Sequence, residues 1–361
     1  MNDLEKGALC VLHSIKGIGN RSLWKIKSTF NLFSACLLAD RAKLDNSFLS
    51  PEIVDEILVK RNQVDPLNYL RKLQTRDIRI TTVEDEGYPA SLLNITDPPF
   101  ILYSKGTIDV TRQLCIAIVG SRAATVYGKN VARKIARELV GHGIVVVSGM
   151  ARGIDTEAHL GAIEGQGKTV AVLGSGLDIV YPRENKVLMN SMENNGAVLT
   201  EYSLGTPPEA GNFPMRNRII AGLCRGVVLV EAKIRSGALI TVDYALEQGK
   251  DVFAVPGPIN SRNSEGPHSL IKQGAKLITC SEDIMEEYSL IFEKPSQEVC
   301  NLPVLNDLEA LIINCIGYSP CHFDQLLKDT QLDTGVLSTA LLQLEFEGIV
   351  KSLPGNYYVK V

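Results

Sequence analysis

The sequence predicts an α/β fold in which a parallel sheet carries helices on both faces, between a helical N-terminal segment and a different C-terminal segment. From about residue 112 to 285, short β-branched runs alternate with helical stretches of about ten to fifteen residues. Such alternation is typical of a parallel sheet. The segments on either side lack it, which indicates additional small domains.

Seven strands are predicted in the central part. Their ranges are Cys115–Val119, Ile144–Val147, Thr169–Leu173, Ala197–Thr200, Val227–Val230, Val252–Val255 and Lys276–Thr279. In parallel sheets, ligands bind beyond the carboxyl ends of the strands. A functional site is therefore expected in the loops that follow these strands.

The N-terminal residues, 1 to about 75, show helical patterns. They are interrupted by Gly17-Ile18-Gly19, which fits either a plain interhelical turn or a helix-hairpin-helix turn whose amides approach a phosphate.

The C-terminal part combines helices at Asp307–Cys315, Phe323–Lys328 and Gly335–Glu347 with a hairpin turning at Pro354-Gly355-Asn356. This winged-helix pattern serves DNA reading or protein docking. Its few basic residues favour protein contact or weak DNA contact.

Composition indicates an ordinary soluble protein, with 45% hydrophobic and 22% charged residues. No apolar run reaches the ~18–20 residues of a membrane span and no signal peptide is evident, so a cytoplasmic location is expected. The net charge is −4, yet residues 120–276 carry 18 Lys and Arg against 14 Asp and Glu. The eight cysteines form no C-x-x-C pair, and no metal is expected.

The stretch GAIEGQGKT, Gly161–Thr169, raises the possibility of an ATPase phosphate loop. That motif needs a glycine where this chain has Ala162, and it follows a strand and opens a helix. Here the order is reversed, because residues 154–164 have a helical pattern and a buried strand follows. Gly165 and Gly167 are therefore predicted to end a helix.

Glycines and basic residues follow several predicted strands. The first strand leads into Gly120, Ser121 and Arg122, the second into Gly149 and Arg152, the third into Gly174 and then Tyr181, Arg183 and Lys186, and the fifth into Lys233, Arg235, Ser236 and Gly237. Because these loops share one edge of a parallel sheet, backbone amides and positive charge converge there. The sequence therefore predicts an anion site.

The fragment NFPMRNRIIAGL strengthens this prediction. Pro214 suits the first turn of a helix, but Arg216 and Arg218 fall in the same turn, where the helix dipole disfavours cations. Arg216 either faces the anion site or pairs with a carboxylate such as Glu201 or Glu231.

The number of separate basic loops favours a ligand with several phosphates in a row. The sequence GSRAATVYG lacks the dinucleotide-binding fingerprint. Single-stranded nucleic acid also needs platforms on which bases stack, and Tyr181 and Phe213 lie in the same loops.

A catalytic site is the alternative. Asp155 and His159 stand at i and i+4 on the helix after the second strand, so they either share a face or serve as helix cap and packing residue. The other acid–base candidates are the pairs Glu201 with Glu231 and Asp178 with Glu184.

Six motifs resemble, in the same order, those of the DNA-processing protein A family, also called DprA or Smf. They read IAIVGSRAATVYG, VVSGMARGIDTEAHLGAI, KTVAVLGSGLDIVYPRENK, FPMRNRIIAGL, VVLVEAKIRSGALITVDYALEQGKDVFAVPG and GPHSLIKQGAKLI. The resemblance implies an extended Rossmann-like parallel sheet core, a sterile-alpha-motif-like (SAM-like) N-terminal domain and a C-terminal winged-helix domain. The predicted domains are 1–75, 80–288 and 304–361, with a linker at 289–303.

The resemblance also implies a function. Family members bind and protect single-stranded DNA during natural transformation, load the RecA recombinase onto it, and dimerise through the C-terminal part of the core. DNA contact is implied for Arg122, Arg183 and Lys186. The full predicted DNA-binding set is Gly120, Ser121, Arg122, Gly149, Arg152, Gly174, Tyr181, Arg183, Lys186, Phe213, Arg216, Asn217, Arg218, Ser236 and Gly237. The predicted homodimer face includes Leu270, Ile271 and Leu277, and no cofactor is expected.

The rival function is that of the distantly similar lysine-decarboxylase-like phosphoribohydrolases, which carry P-G-G-x-G-T-x-x-E after a strand. Here the corresponding place, Arg235–Asp243, reads RSGALITVD. The Pro-Gly-Gly and the catalytic glutamate are missing, which favours a binding protein that is not an enzyme.

Overall fold

The computed structural model describes residues 1–106, 113–288, 306–316 and 320–360. Contacts divide the chain into two compact units, one of residues 1–123 with 132–288 and one of residues 124–131 with 289–361. The predicted linker at 289–303 lies outside the described residues. Within the described ranges, no helix is both long and apolar enough to cross a membrane.

The N-terminal part is helical, as predicted. Its helices are α1 (Asp3–His13), α2 (Asn20–Phe30), α3 (Phe33–Leu38), α4 (Arg41–Asp45), α5 (Pro51–Gln63) and α6 (Pro66–Gln74). Leu9, Leu23 and Phe33 are fully buried between them. The same apolar cluster includes Leu173 and Val198 of the central part, so these helices and the sheet share one core.

A nine-stranded sheet forms the centre of the larger unit. Its strands are β1 (Arg79–Thr82), β2 (Ile101–Gly106), β3 (Cys115–Val119), β4 (Val145–Ser148), β5 (Thr169–Val172), β6 (Gly196–Thr200), β7 (Gly226–Leu229), β8 (Asp251–Ala254) and β9 (Lys276–Leu277). Their order is β1-β2-β6-β5-β4-β3-β7-β8-β9. The seven predicted strands, β3 to β9, are confirmed and run parallel.

The strands β1 and β2 were not predicted, and they correct the expectation of a purely parallel sheet. They pair antiparallel with each other, and β2 pairs antiparallel with β6 at one edge. Antiparallel neighbours need no long crossover helix. The alternation of β-branched runs with helical stretches, which identified the other strands, is therefore absent from this segment.

Helices cover both faces of the sheet. They are α7 (Ala90–Leu93), α8 (Val126–Gly141), α9 (Ile154–Glu164), α10 (Lys186–Asn195), α11 (Asn212–Leu223), α12 (Gly237–Glu247), α13 (Glu265–Lys272) and α14 (Glu282–Glu287), with short 3-10 turns η1 (Arg183–Asn185) and η2 (Arg262–Ser264). The helix α9 precedes β5, which confirms that GAIEGQGKT ends a helix. At position 167 a β-carbon would lie 2.7 Å from Cγ2 of Val140, so only glycine fits.

The path of the chain fixes where a ligand should bind. From β3 the chain proceeds outward through β4 and β5 to β6, then returns to the other side of β3 as β7. The strand order therefore reverses between β3 and β7. Open α/β sheets bind ligands at this switch point, beyond the carboxyl ends of the strands.

The smaller unit contains the predicted winged helix. Its elements are α15 (Asp307–Cys315), β10 (Cys321–His322), α16 (Phe323–Thr330), α17 (Thr334–Phe346), β11 (Val350–Leu353) and β12 (Tyr357–Lys360). The three strands pair in the order β10-β12-β11. Gly355 and Asn356 turn the hairpin with φ of 85° and 61°, a conformation that these two residue types tolerate.

Candidate nucleic-acid interface

A cleft of about 620 Å³ opens at the switch point between β3 and β7. Its lining contains four basic side chains, those of Arg122, Arg216, Lys233 and Arg235, and one carboxylate, that of Asp155. The other polar and aromatic lining residues are Ser121, Tyr181, Phe213, Asn217, Ser236 and Thr241. The predicted anion edge is therefore a real concavity with a surplus of positive charge.

The Gly120-Ser121-Arg122 loop is held rigidly. The amide of Ser121 donates to the carbonyl of Glu231 at 2.7 Å. A β-carbon at position 120 would lie 2.9 Å from that same carbonyl oxygen, so glycine is needed for the approach. Gly153 has a φ of +77° and packs against the loop, where a β-carbon would lie 2.8 Å from the Arg122 carbonyl oxygen. Arg122 itself is exposed at the mouth of the cleft.

Phe213, in the first turn of α11, presents a ring to the cleft. The ring centroid lies 5.4 Å from that of Tyr181 and 5.2 Å from the guanidinium carbon of Arg122. The ring packs on Gly174, where a β-carbon would lie 3.1 Å from Cδ1 of Phe213. The missing side chain of Gly174 thus makes room for the ring. The arrangement is an aromatic platform next to an exposed cation.

Arg216 lies at the floor of the cleft and is only 3% exposed. Its guanidinium donates to the carbonyl of Gly149 at 2.7 Å, to the carbonyl of Val172, and to Oδ1 of Asn217 at 3.0 Å. A β-carbon at position 149 would lie 2.6 Å from the guanidinium carbon, so Gly149 admits the side chain. Burial lowers the pKa of Arg216 to about 10, and the nearby carboxylate of Asp155 acts in the opposite direction.

Asp155 is the buried carboxylate of the cleft. Its Oδ2 accepts from the amides of Gly149 at 3.2 Å and Ala151 at 3.3 Å. Gly153, not Asp155, occupies the N-cap position of α9, so the predicted capping role is wrong and the carboxylate instead closes the preceding loop. Burial raises the pKa of Asp155, while Arg216 and the two amides act to lower it.

The β7 loop supplies Lys233 and Arg235, which are absent from the predicted DNA-binding set although the sequence places them after a strand. Both are exposed and line the cleft. The loop ends at Ser236, whose side chain caps α12 by accepting from the amide of Ala238. The N-terminus of α12 therefore points its positive dipole end to the cleft. The sequence had already placed both residues at the anion edge, and the strand order, with β7 next to β3, brings them to the same cleft as Arg122.

Three predicted basic residues lie on the neighbouring β4 and β5 loops, outside the cleft lining. Arg183 and Lys186 are exposed at η1 and at the start of α10. Arg152 is exposed and forms a bidentate ion pair with Glu184. This ion pair lowers the pKa of Glu184 to about 2.

Arg218 points away from the cleft. Its Nη2 lies 2.5 Å from Oε2 of Glu201 and its Nε lies 3.6 Å from Oδ2 of Asp97. Both members of the Arg218 and Glu201 pair are buried. Glu201 therefore pairs with Arg218, the arginine two residues after Arg216.

The remaining catalytic candidates are engaged in structural contacts. The ring Nδ1 of His159 lies 2.7 Å from Oγ1 of Thr169, and burial lowers the pKa of this histidine to about 3. The carboxylate of Asp178 accepts from the amide of Gly205 at 2.9 Å. Within the described ranges, no group of three or more His, Cys, Asp or Glu side chains is arranged to hold a metal ion.

Together these features define a class: an α/β protein with an extended Rossmann-like sheet and a basic, aromatic-lined cleft at the switch point of that sheet. Residues 79–289 match the family model of DNA recombination-mediator protein A, and residues 298–356 match that of the DprA winged helix domain. The chain belongs to the DNA recombination-mediator protein A family.

Individual relatives agree with this assignment. The chain is 34% identical to the protein Smf of a Synechocystis species over 95% of this chain and 96% of the relative. The X-ray structure of DNA processing protein A from Streptococcus pneumoniae matches with a TM-score of 0.67 and 38% identity, over 80% of this chain and 98% of that one. A structure of DNA processing protein A from Helicobacter pylori, described for its single-stranded DNA binding mode, matches with a TM-score of 0.53 and 30% identity, over 58% and 96% of the two chains.

Proposed function

We propose that this protein binds single-stranded DNA in the cleft between β3 and β7. The observation that carries the proposal is the contact of Arg122 with the ring of Phe213 at the mouth of the cleft. A cation beside an aromatic platform suits a strand whose phosphates and base faces are both accessible. Lys233, Arg235 and the N-terminus of α12 add positive potential to the same cleft.

The strand path also includes the β5 loop. The loops after β5, β4, β3 and β7 follow one another along the carboxyl edge of the sheet. Arg183 and Lys186 therefore extend the basic surface beyond Tyr181. Arg152 contributes less, because Glu184 already neutralises its charge. Arg216 supports the floor of the cleft, and Arg218 stabilises the fold through Glu201.

We assign a role in recombination from the family. Bound DNA is shielded from nucleases in the cleft, and the protein then loads the RecA recombinase onto it in the cytoplasm during natural transformation. A homodimer forms through the face that carries Leu270, Ile271 and Leu277. Leu277 on the edge strand β9 is 46% exposed, which suits a contact with a second copy.

We infer binding without catalysis. The candidate carboxylates Glu201, Glu184 and Asp178 are committed to an arginine or to a backbone amide. Incubation of the protein with nucleoside monophosphates should release no free base. Formation of ribose phosphate that Asp155→Asn abolishes would support a phosphoribohydrolase instead.

The test is fluorescence anisotropy of a labelled oligo-dT over a salt series, with unlabelled duplex as competitor. Replacing Arg122 and Arg235 by alanine should weaken binding, and should reduce the slope of log K against log salt by about 1.4, since each phosphate contact with a single strand contributes about 0.7. The matched control is Lys72→Ala with Arg76→Ala, which removes two exposed charges from α6 and its C-terminal end.

If the slope of log K against log salt fell equally in the Lys72→Ala/Arg76→Ala control, the net charge of the protein would govern binding and the cleft would not. Wild-type protein that binds no single strand would refute the proposal itself. If binding is found, RecA loading is measured as the rate of RecA filament formation on DNA covered with single-strand-binding protein. No acceleration by the wild type would refute the RecA role.

A further inference from the structure

The loops after β3, β7 and β8 are joined into one hydrogen-bonded wall beside the cleft. The amide of Ser121 donates to the carbonyl of Glu231, and the amide of Ala232 donates to the carbonyl of Asn263, both at 2.7 Å. The Asn263 side chain donates to the carbonyl of Ala123 at 3.0 Å. The β8 loop is thereby fixed to the two loops that carry the cleft's basic side chains.

The outer wall, defined here as residues 233–236 and 256–264, exposes two large aliphatic side chains. Ile259 in the β8 loop is 95% exposed and Ile234 in the β7 loop is 62% exposed. A single exposed isoleucine is ordinary. Here two exposed isoleucines lie on loops that are hydrogen-bonded to each other, next to a basic cleft.

Basic side chains accompany these isoleucines. The outer wall carries Lys233, Arg235 and Arg262, all exposed. Among the residues that the structure describes, neither Arg235 nor Arg262 has an ion-pair partner. One exposed carboxylate, Glu265, follows in the first turn of α13. The outer wall therefore combines positive charge with apolar contact area.

We propose that a DNA single strand leaving the cleft continues over the outer wall, with phosphates held by Arg235 and Arg262 and base faces resting on Ile234 and Ile259. This inference rests on the proposed function. Arg235 belongs both to the cleft lining and to the outer wall, so the two surfaces are continuous. A duplex would not use the isoleucines in this way, because its base faces are stacked inside the helix.

The experiment compares oligo-dT of two lengths by anisotropy. The variant is Ile259→Ala with Arg262→Ala, which leaves every cleft residue in place. An oligonucleotide of about 5 residues fills the cleft, and one of about 20 also reaches the outer wall, in keeping with site sizes of about 4–16 nucleotides. The variant should bind the long oligonucleotide about tenfold more weakly and the short one as the wild type does.

The matched control is Leu38→Ala with Arg76→Ala, which removes the same kinds of exposed side chain from the N-terminal part of the chain. Three results would each overturn the inference. The variant could lose affinity equally for both oligonucleotide lengths, it could keep the wild-type affinity for the long one, or the control could lose affinity for the long one by the same factor. A change in the sedimentation coefficient of the DNA-free variant would also overturn it, because the outer wall would then be a contact between copies. Wild-type protein that binds neither oligonucleotide would instead refute the proposed function.

Discussion

The guanidinium carbon of Arg122 lies 5.2 Å from the centroid of the Phe213 ring, although 90 positions separate these residues in the chain. The contact joins a rigid loop after β3 to the first turn of α11. It places a guanidinium, a group able to bind phosphate, beside an aromatic ring, a group able to stack on a base. The predictions below test this contact and the buried groups around it.

Phe213 is predicted to stack on a DNA base. Phe213→Ala should weaken oligo-dT binding about tenfold, because stacking on an aromatic side chain contributes about 1–3 kcal/mol per base. Phe213→Tyr should keep the affinity. The measurement pairs oligo-dT with an oligonucleotide of equal length that carries abasic sites. The wild type should discriminate between them more strongly than Phe213→Ala does.

Phe48→Ala is the matched control, since Phe48 is an exposed ring on the N-terminal part of the chain. If Phe213→Ala lowered the affinity for both oligonucleotides by the same factor, the ring would serve to position Arg122 and would not stack on a base.

Asp155 is predicted to make DNA binding depend on pH. Burial raises its pKa above the ordinary value, and phosphates in the cleft favour the protonated form further. Lowering the pH below neutrality should therefore strengthen binding as Asp155 takes up a proton, by at most roughly threefold. One charge about 10 Å from a phosphate contributes ~0.4–1.7 kcal/mol at effective dielectric constants of about 80 to 20.

Asp155→Asn should bind more tightly at pH 7 and lose this pH dependence. Anisotropy titrations at constant ionic strength measure both effects, with Glu56→Gln, a change at an exposed carboxylate of α5, as control. An Asp155→Asn variant with the wild-type pH profile would assign the titration to another group.

Arg218 is predicted to stabilise the fold and not to contact DNA. Arg218→Met leaves Glu201 buried without its partner, which should reduce the free energy of unfolding by about 3–5 kcal/mol. Burial already raises the pKa of Glu201. Without Arg218, the pKa of Glu201 in the folded protein should rise further. The variant should therefore lose stability as the pH rises above the pKa that Glu201 has in the unfolded chain.

Urea unfolding at pH 5 and pH 8 measures this loss, and it should be larger at pH 8. The double variant Arg218→Met with Glu201→Leu should recover much of the stability, since no buried charge is left unpaired. A folded Arg218→Met protein with wild-type stability but weakened DNA binding would contradict the structural role.

Leu277 is predicted to contribute to a homodimer. Leu277→Asp places a charge on the exposed edge strand β9 and should convert a dimer into a monomer in sedimentation velocity. Leu270 is less suitable for this test, because it is buried in the core and its replacement by aspartate would destabilise α13. Leu38→Asp, at a 73% exposed position of α3, is the control. A monomeric wild type, or a Leu277→Asp dimer, would refute the predicted face.

Much of the secondary structure could be predicted because its signals are local. All seven parallel strands, the helix before β5, and the three helices and the hairpin of the winged helix follow from hydrophobic period, β-branched runs and turn residues. The antiparallel strands β1 and β2 escaped prediction, because their pairing joins segments without a helical crossover between them.

The sequence by itself determined that glycines and basic residues follow the parallel strands and share one edge of the sheet. The tertiary structure decided which of those residues face the cleft. Arg216 and Arg218 are two positions apart on α11, yet one donates to the carbonyls of Gly149 and Val172 at the cleft floor and the other pairs with Glu201. The physical reason is that residues two positions apart lie about 200° apart around a helix and so point to different neighbours. Those neighbours come from β4, β5 and β6 and the loops that follow them, which only the folded sheet brings together.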